Sequence, residues 1–213
     1  MLAEVVRSGF VEGRHRGSVV ALAADGSPVL SLGEPTAPVF PRSSNKPMQA
    51  AGLLEAGLDL DGELLALACA SHSGAGFHLD GVLRLLAAYG LSEADLQTPP
   101  ALPLGEQERF DHVAGGGGPS SLAMNCSGKH AAMLATCVVN GWPTATYLDP
   151  GHPLQKQLRA TVERIADEPV PATGVDGCGA PLLALSLTGL ARAFARLATA
   201  PPGTPEHRVA TAI

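Results

Sequence analysis

The sequence predicts an α/β fold in which antiparallel strands come first and helices follow. Three observations predict it. Short β-rich runs around a hairpin turn fill the first third, apolar residues at spacings of three and four recur beyond it, and the composition is able to close a core. The chain has 213 residues, of which 46% are hydrophobic and 16% charged, the reverse of the composition that leaves a segment disordered. That length suits one large domain. With no internal repeat and no separable linker, residues 1–213 are predicted to form a single α/β unit.

Ala3 to Arg7 and Ser18 to Ala23 are the first strand candidates, and Asp25-Gly26 is a hairpin turn because both residues tolerate positive φ. A meander is expected there. After the turn-rich Gly33 to Pro41, a helix fits from about Ser44 to Glu55, with Gly57 as its stop. Pro47 is tolerable only in a first turn, where amides lack an intrahelical partner, so this helix must begin close to Ser43. Ser43 then sits at the positive end of the helix dipole. Glu63 to Ala70 is an apolar run that periodicity leaves open between strand and helix. Leu79 to Tyr89 reads as a helix ending at Gly90, and Ser92-Glu93 opens a short helical turn.

Thr98 to Ser121, with Gly115 to Gly118 in succession, is expected to be a long covering loop. It is not a phosphate cradle, since Pro119-Ser120 stands where Gly-Lys-Ser or Gly-Lys-Thr would close one. Ser127 is the expected cap of a helix from Gly128 to Asn140, stopped by Gly141 and Pro143. Gly151 to Asp167 is amphipathic, with Leu154, Leu158, Val162 and Ile165 on one face and Lys156 in solvent. A Gly-rich turn segment from Pro171 to Pro181 leads to a third helix from about Leu182 to Ala198. Pro201 to Ile213 is expected to add neither strand nor cap.

Twenty acidic residues against 14 basic ones give a net charge of -6, with no electrostatic footprint for a polyanion. Nucleic acid is therefore not an expected partner. No apolar stretch approaches the ~20 residues that span a bilayer, and Glu4 and Arg7 interrupt the place where a signal peptide needs an apolar centre. A soluble cytoplasmic protein without membrane contact is expected. Four cysteines are too few for a disulfide scaffold, which leaves core residues, metal ligands or reactive thiols. Arginines outnumber lysines 11 to three, Lys46, Lys129 and Lys156. Arginine stays protonated whereas a desolvated lysine can lose its proton, so a chain poor in lysine is expected to keep it where a neutral amine matters.

Three constellations carry candidate chemistry. In Arg42-Ser43-Ser44-Asn45-Lys46, residues three apart share a helix face, so the Lys46 amine can reach the Ser43 hydroxyl. Desolvation, the helix end and Arg42 would lower the Lys46 pKa and make it a general base for a serine nucleophile. A capping serine followed by a solvated lysine explains the same spacing without chemistry. In Cys69-Ala70-Ser71-His72-Ser73-Gly74, an apolar run ends in small polar residues. Ser71 or Ser73 could complete a proton relay with Lys46, and His72 could orient it or bind substrate; a capped turn is the plain alternative. In Asn125-Cys126-Ser127-Gly128-Lys129-His130, with Asp176-Gly177-Cys178-Gly179 downstream, Cys126 precedes a helix N-terminus that favours its thiolate. Cys126, Cys178 and a third donor could hold zinc with one position open, and a disulfide or two unrelated thiols fit equally well.

Together these blocks resemble the type-II L-asparaginase family of the Rhizobium etli kind. The matching stretches are Val5 to Glu12 with His15-Arg16-Gly17, Arg42 to Pro47, Ala70 to Gly74, Asn125 to His130 and Gly174 to Pro181, in that order. The resemblance implies a fold similar to serine β-lactamases and penicillin-binding transpeptidases, and hydrolysis of L-asparagine to L-aspartate and ammonia. It implies Ser43 as nucleophile, Lys46 as its base and Ser71 as the serine that shuttles protons. It assigns Cys126, Lys129 and Cys178 to zinc, and puts Arg42, His72, Ser73, Asn125, His130 and Asp176 on the substrate side. A homodimer is expected. Two departures stand out: Ala75 replaces the usual acidic residue after Ser-His-Ser-Gly, and family members continue well past the position of Ile213, so the chain is expected to lack the family's C-terminal part. An acyl-serine hydrolase of peptides or β-lactams and a zinc-dependent small-molecule binding protein are the competing readings.

Overall fold

The computed structural model describes residues 1–213. Strand β1 (Ala3–Arg7) pairs antiparallel with β2 (Phe10–His15), Ala3 opposite His15 and Arg7 opposite Phe10, around Ser8 and Gly9 at φ 49° and 82°. Strands β3 (Val19–Leu22) and β4 (Pro28–Leu32) form a second hairpin. Its tip is the expected Asp25-Gly26 pair: Gly26 has φ 82°, and the Asp25 carboxylate accepts from both the amide and the hydroxyl of Ser27. The meander is replaced by two separate ribbons, because no ladder joins β2 to β3. Each ribbon carries a register shift, between Val5 and Val6 and between Ala21 and Leu22, and such bulges bend and twist a ribbon locally.

A 3₁₀ turn, Arg42–Asn45, runs into α1 (Lys46–Glu55), with Pro47 in the first turn as its missing amide requires. Gly57, at φ 92°, ends the segment. The ambiguous apolar run is helical, α2 (Gly62–Cys69), and is followed by α3 (Gly76–Ala88) and a one-turn 3₁₀ helix, Glu93–Asp95, closed by a capping box between Ser92 and Asp95. The expected covering loop contains a helix, α4 (Glu106–Ala114). Its signal is electrostatic: Glu106 and Glu108 occupy the first turn and His112 the last, matching the helix dipole, while none of its residues is buried. Helix α5 (Ser127–Asn140) ends at Gly141 in left-handed conformation. Ser127 does not cap it; its hydroxyl donates instead to the Leu122 carbonyl at 2.8 Å.

Helix α6 (Pro153–Ala166) buries Leu154, Leu158, Val162 and Ile165 and leaves Lys156 exposed, as its period requires. The glycine-rich stretch is a hairpin of β6 (Thr173–Val175) and β7 (Pro181–Leu183), and β8 (Leu185–Ser186) pairs with β5 (Pro38–Val39). The third helix therefore begins later than expected. Leu182 to Leu185 are buried on successive residues, a strand environment, and α7 (Leu187–Thr199) starts where Ser186 Oγ accepts from the Gly189 amide. The chain end also differs: α8 (Pro205–Ala212) is capped by the Thr204 side chain accepting from His207 N–H, with Pro205 in its first turn. No helix is long and apolar enough to cross a membrane.

Helices α1, α2, α3, α5, α6, α7 and α8 converge on one cluster of 33 buried apolar residues, and α5 is buried continuously from Ser127 to Cys137. The entry of α5 is packed so closely against α2 that a Cβ on Gly128 would lie 2.7 Å from both the Leu67 carbonyl oxygen and Leu67 Cγ. Backbone cannot yield as a side chain can. Gly128→Ala should therefore lower stability by ~1–3 kcal/mol, read as a shift of the urea midpoint at constant slope; an unshifted midpoint would show that these helices do not meet at this residue.

Candidate active site

Pro41 and Arg42 deliver Ser43 to the start of the helix. Arg42 has φ 55°, a left-handed conformation that non-glycine residues seldom adopt and that functional sites tolerate. Ser43 and Ser44 face outward, whereas Asn45 and Lys46 are 2% and 1% exposed. A cleft of about 420 Å³ opens at Ser43, walled by Pro47, Cys69, Ala70 and Phe194. Lys46 turns into the body. Its Nζ donates to the Ala70 carbonyl at 2.7 Å, to Ser71 Oγ at 2.8 Å and to Cys126 Sγ at 3.2 Å.

The expected direct contact between Lys46 and Ser43 is not made. Ser71 Oγ lies 2.7 Å from Ser43 Oγ, so the amine and the nucleophile candidate are joined through one intervening hydroxyl. The reason is local. The backbone changes from 3₁₀ to α between the two residues, so they do not occupy the stacked positions that three-residue spacing gives in a regular helix.

Burial lowers the Lys46 pKa, and the positive charge of Lys129 lowers it further, against the pull of Cys126 and Cys178. The opposing Cys126 pull is weak chemistry, because its own thiol is pushed up by its hydrogen bond to Cys178 and then by burial. It stays a thiol. As an ammonium, Nζ has one proton for each of these three neighbours; on losing one it would keep those to Ala70 O and Cys126 Sγ and turn its lone pair to the Ser71 hydroxyl.

Beside this relay lies a second buried group. Lys129 Nζ is 3.3 Å from Cys178 Sγ. The Cys178 pKa is lowered, first by the hydrogen bond from Cys126 and then by His130 and Lys129, although burial opposes it. No disulfide links the four cysteines. His130 is wholly buried, with Nδ1 2.7 Å from the Tyr147 hydroxyl and Nε2 without a hydrogen-bond partner. Asp176 Oδ1 pairs with the Arg42 guanidinium at 2.9 Å, and Arg42 remains 63% exposed. Asn125 ties the site together, accepting the His72 amide on its carbonyl and lying 3.3 Å from Cys126 Sγ through Oδ1.

No three His, Cys, Asp or Glu side chains gather as a metal site. Three donors assemble only if Lys129 is counted with Cys126 and Cys178. Chemically that set fits zinc: two sulfurs, an amine, and beside them an imidazole nitrogen with nothing to bond.

His72 stands behind the site. It is 2% exposed, its Nε2 is 2.8 Å from Ser127 Oγ, and Ser127 spends its own proton on Leu122. The ring therefore donates from Nε2, and burial, followed by His78 and Lys46, lowers its pKa to about 4, so it is neutral. Ser73 is half-buried and donates to Glu108 Oε1 at 2.7 Å. Glu108 and Tyr147, the partners of Ser73 and His130, went unpredicted. Neither carries a local signal, since their partners lie 35 and 17 residues away in the chain.

Arg42, Ser43, Lys46, Ser71, Cys126, Lys129, Asp176 and Cys178 come from four separate sequence blocks and meet in two adjoining clusters. The family model described as L-asparaginase II matches residues 3–213, nearly the whole chain. The chain belongs to the L-asparaginase II family. It is accordingly an L-asparaginase-type amidohydrolase. No curated protein matches it.

Proposed function

We propose that the chain hydrolyses the side-chain amide of L-asparagine through an ester on Ser43. The observation that carries this is the continuous path Ser43 Oγ, Ser71 Oγ, Lys46 Nζ, with steps of 2.7 and 2.8 Å and a buried amine at its end. Ser43 passes its proton to Ser71 while Ser71 passes its own to Lys46, and Ser43 Oγ bonds to the carboxamide carbon. The proton returns along the same path to the departing nitrogen, which leaves as ammonia. Water then enters by the reverse route, releasing L-aspartate and restoring Ser43. The Ser43 N–H, at the helix entry, is the oxyanion donor this reading assigns, and Arg42 holds the substrate carboxylate.

Cys126, Lys129 and Cys178 would hold a zinc ion, which when bound supplies Lewis-acid polarisation beside the pocket. What the chain itself supplies is their burial and the Arg42–Asp176 pair beside them. A serine at the mouth of a helix and a lysine three residues further on are what supports the serine β-lactamase-like fold that the resemblance implies.

Ammonia release from L-asparagine tests the reading. Ser71→Ala breaks the path while leaving both ends in place, so turnover should fall by ~10²–10⁴ with KM little changed. Unaltered turnover would remove Ser71 from the reaction, and hydrolysis of a chromogenic β-lactam in place of the amide would favour the other acyl-serine chemistry.

A further inference from the structure

Glu108 is an anion that this mechanism leaves unused. It sits on α4, a helix that buries none of its residues. The excursion carrying α4 is closed at its base by the Ala101–Ser120 bridge and by reciprocal hydrogen bonds between Thr98 and Ser121. It is fastened to the body at Ser73, where the Gly105 N–H donates to the Ser73 carbonyl at 2.8 Å and the Ser73 hydroxyl donates to Glu108 Oε1 at 2.7 Å. No lysine, arginine or histidine forms an ion pair with this carboxylate. The basic group that bears on it is the His78 imidazole, with Nδ1 3.4 Å from Ser73 Oγ, and no cation is bonded to the carboxylate itself.

That place is next to the relay. Along Ser71-His72-Ser73-Gly74 burial alternates, with Ser71 exposed, His72 buried, Ser73 half-buried and Gly74 buried. An extended segment has this alternation, and it points Ser71 and Ser73 to the same side. Two residues of extended chain span ~7 Å, and the Glu108 carboxylate is one hydrogen bond beyond Ser73. A carboxamide and an ammonium on neighbouring carbons bridge such a gap with a hydrogen-bond length at either end.

We propose that Glu108 is a specificity-determining residue that receives the α-ammonium of the substrate, so that the chain selects amino-acid amides over simple amides. The assignment rests on the amidohydrolase reading above. Arg42 takes the carboxylate of the same molecule and Glu108 its ammonium, and helix α4, anchored through Ser73, carries the anion to the edge of the relay.

The test compares kcat/KM for L-asparagine with that for the monoamide of succinic acid, which keeps amide and carboxylate and lacks the ammonium. The wild-type chain should favour asparagine by at least about a hundredfold, because a charge left without its partner is rejected strongly. Glu108→Gln should cost asparagine roughly 30- to 100-fold and the monoamide under threefold, collapsing the preference. Ser73→Ala, which loosens the carboxylate without removing it, should fall between. Equal losses on both substrates, or a preference that survives Glu108→Gln, would overturn the assignment alone. A wild-type chain that turns over neither amide would overturn the amidohydrolase reading and this assignment with it.

Discussion

Replacing Ser43 by alanine should reduce asparagine-dependent ammonia release by at least about a thousandfold, the scale on which loss of a serine nucleophile is felt when its base and binding groups remain. The fold should not notice. Ser43 is exposed, its side chain makes one hydrogen bond, to Ser71, and no buried group loses a partner when it goes. Stability should therefore stay within ~0.5 kcal/mol of the parent. Binding should also persist, since Arg42, Asp176 and Glu108 are untouched; calorimetric titration of Ser43→Ala with L-asparagine would show heat without turnover. A coupled ammonia assay decides the point. If the alanine variant released ammonia at the parental rate, the hydroxyl could not be the group acylated, and the path through Ser71 would have no origin.

Where the sequence could be read, the signal was local. Pro47 fixed the start of α1 because a missing amide is tolerated only there. Leu154, Leu158, Val162 and Ile165 fixed the buried face of α6 because side chains at such spacings stack. The motif blocks named the residues of both clusters but not the route between them. Whether Lys46 meets Ser43 directly or through Ser71 depends on a change from 3₁₀ to α at Asn45 and Lys46, smaller than any spacing argument resolves. Short strands were hidden for a different reason. The pair of β5 with β8 joins Pro38 to Ser186, and each partner has two residues, too few to show a period of two. Helix α4 was hidden because it buries nothing, so no apolar stripe marks it. Glu108 thereby escaped notice along with its helix.

Lysine at position 46 cannot be exchanged for the chain's commoner cation. Arginine is never deprotonated in proteins, and its planar fork would have to enter a slot 1% exposed and bounded by Ala70 O, Ser71 Oγ and Cys126 Sγ. Lys46→Arg should therefore lose ~10²–10⁴ in kcat, as far as Lys46→Ala, although it preserves the charge. The pH profile gives the same argument a sign. Burial opposes the ammonium, so the amine becomes neutral below the ~10.4 of a lysine in water. Parental kcat/KM should rise with pH through this depressed pKa and level off above it, whereas the residual rate of Lys46→Arg should lack that limb. The corresponding stability cost is confined to the charged form: it is present in full below the folded-state pKa and fades as pH rises toward the unfolded-state value. Thus the unfolding free energy of the parent should gain on that of Lys46→Met as the solution is made alkaline. A Lys46→Arg variant with most of the parental activity would require another acceptor for the Ser71 proton, and the Ser71 hydroxyl bonds to nothing but Lys46 and Ser43.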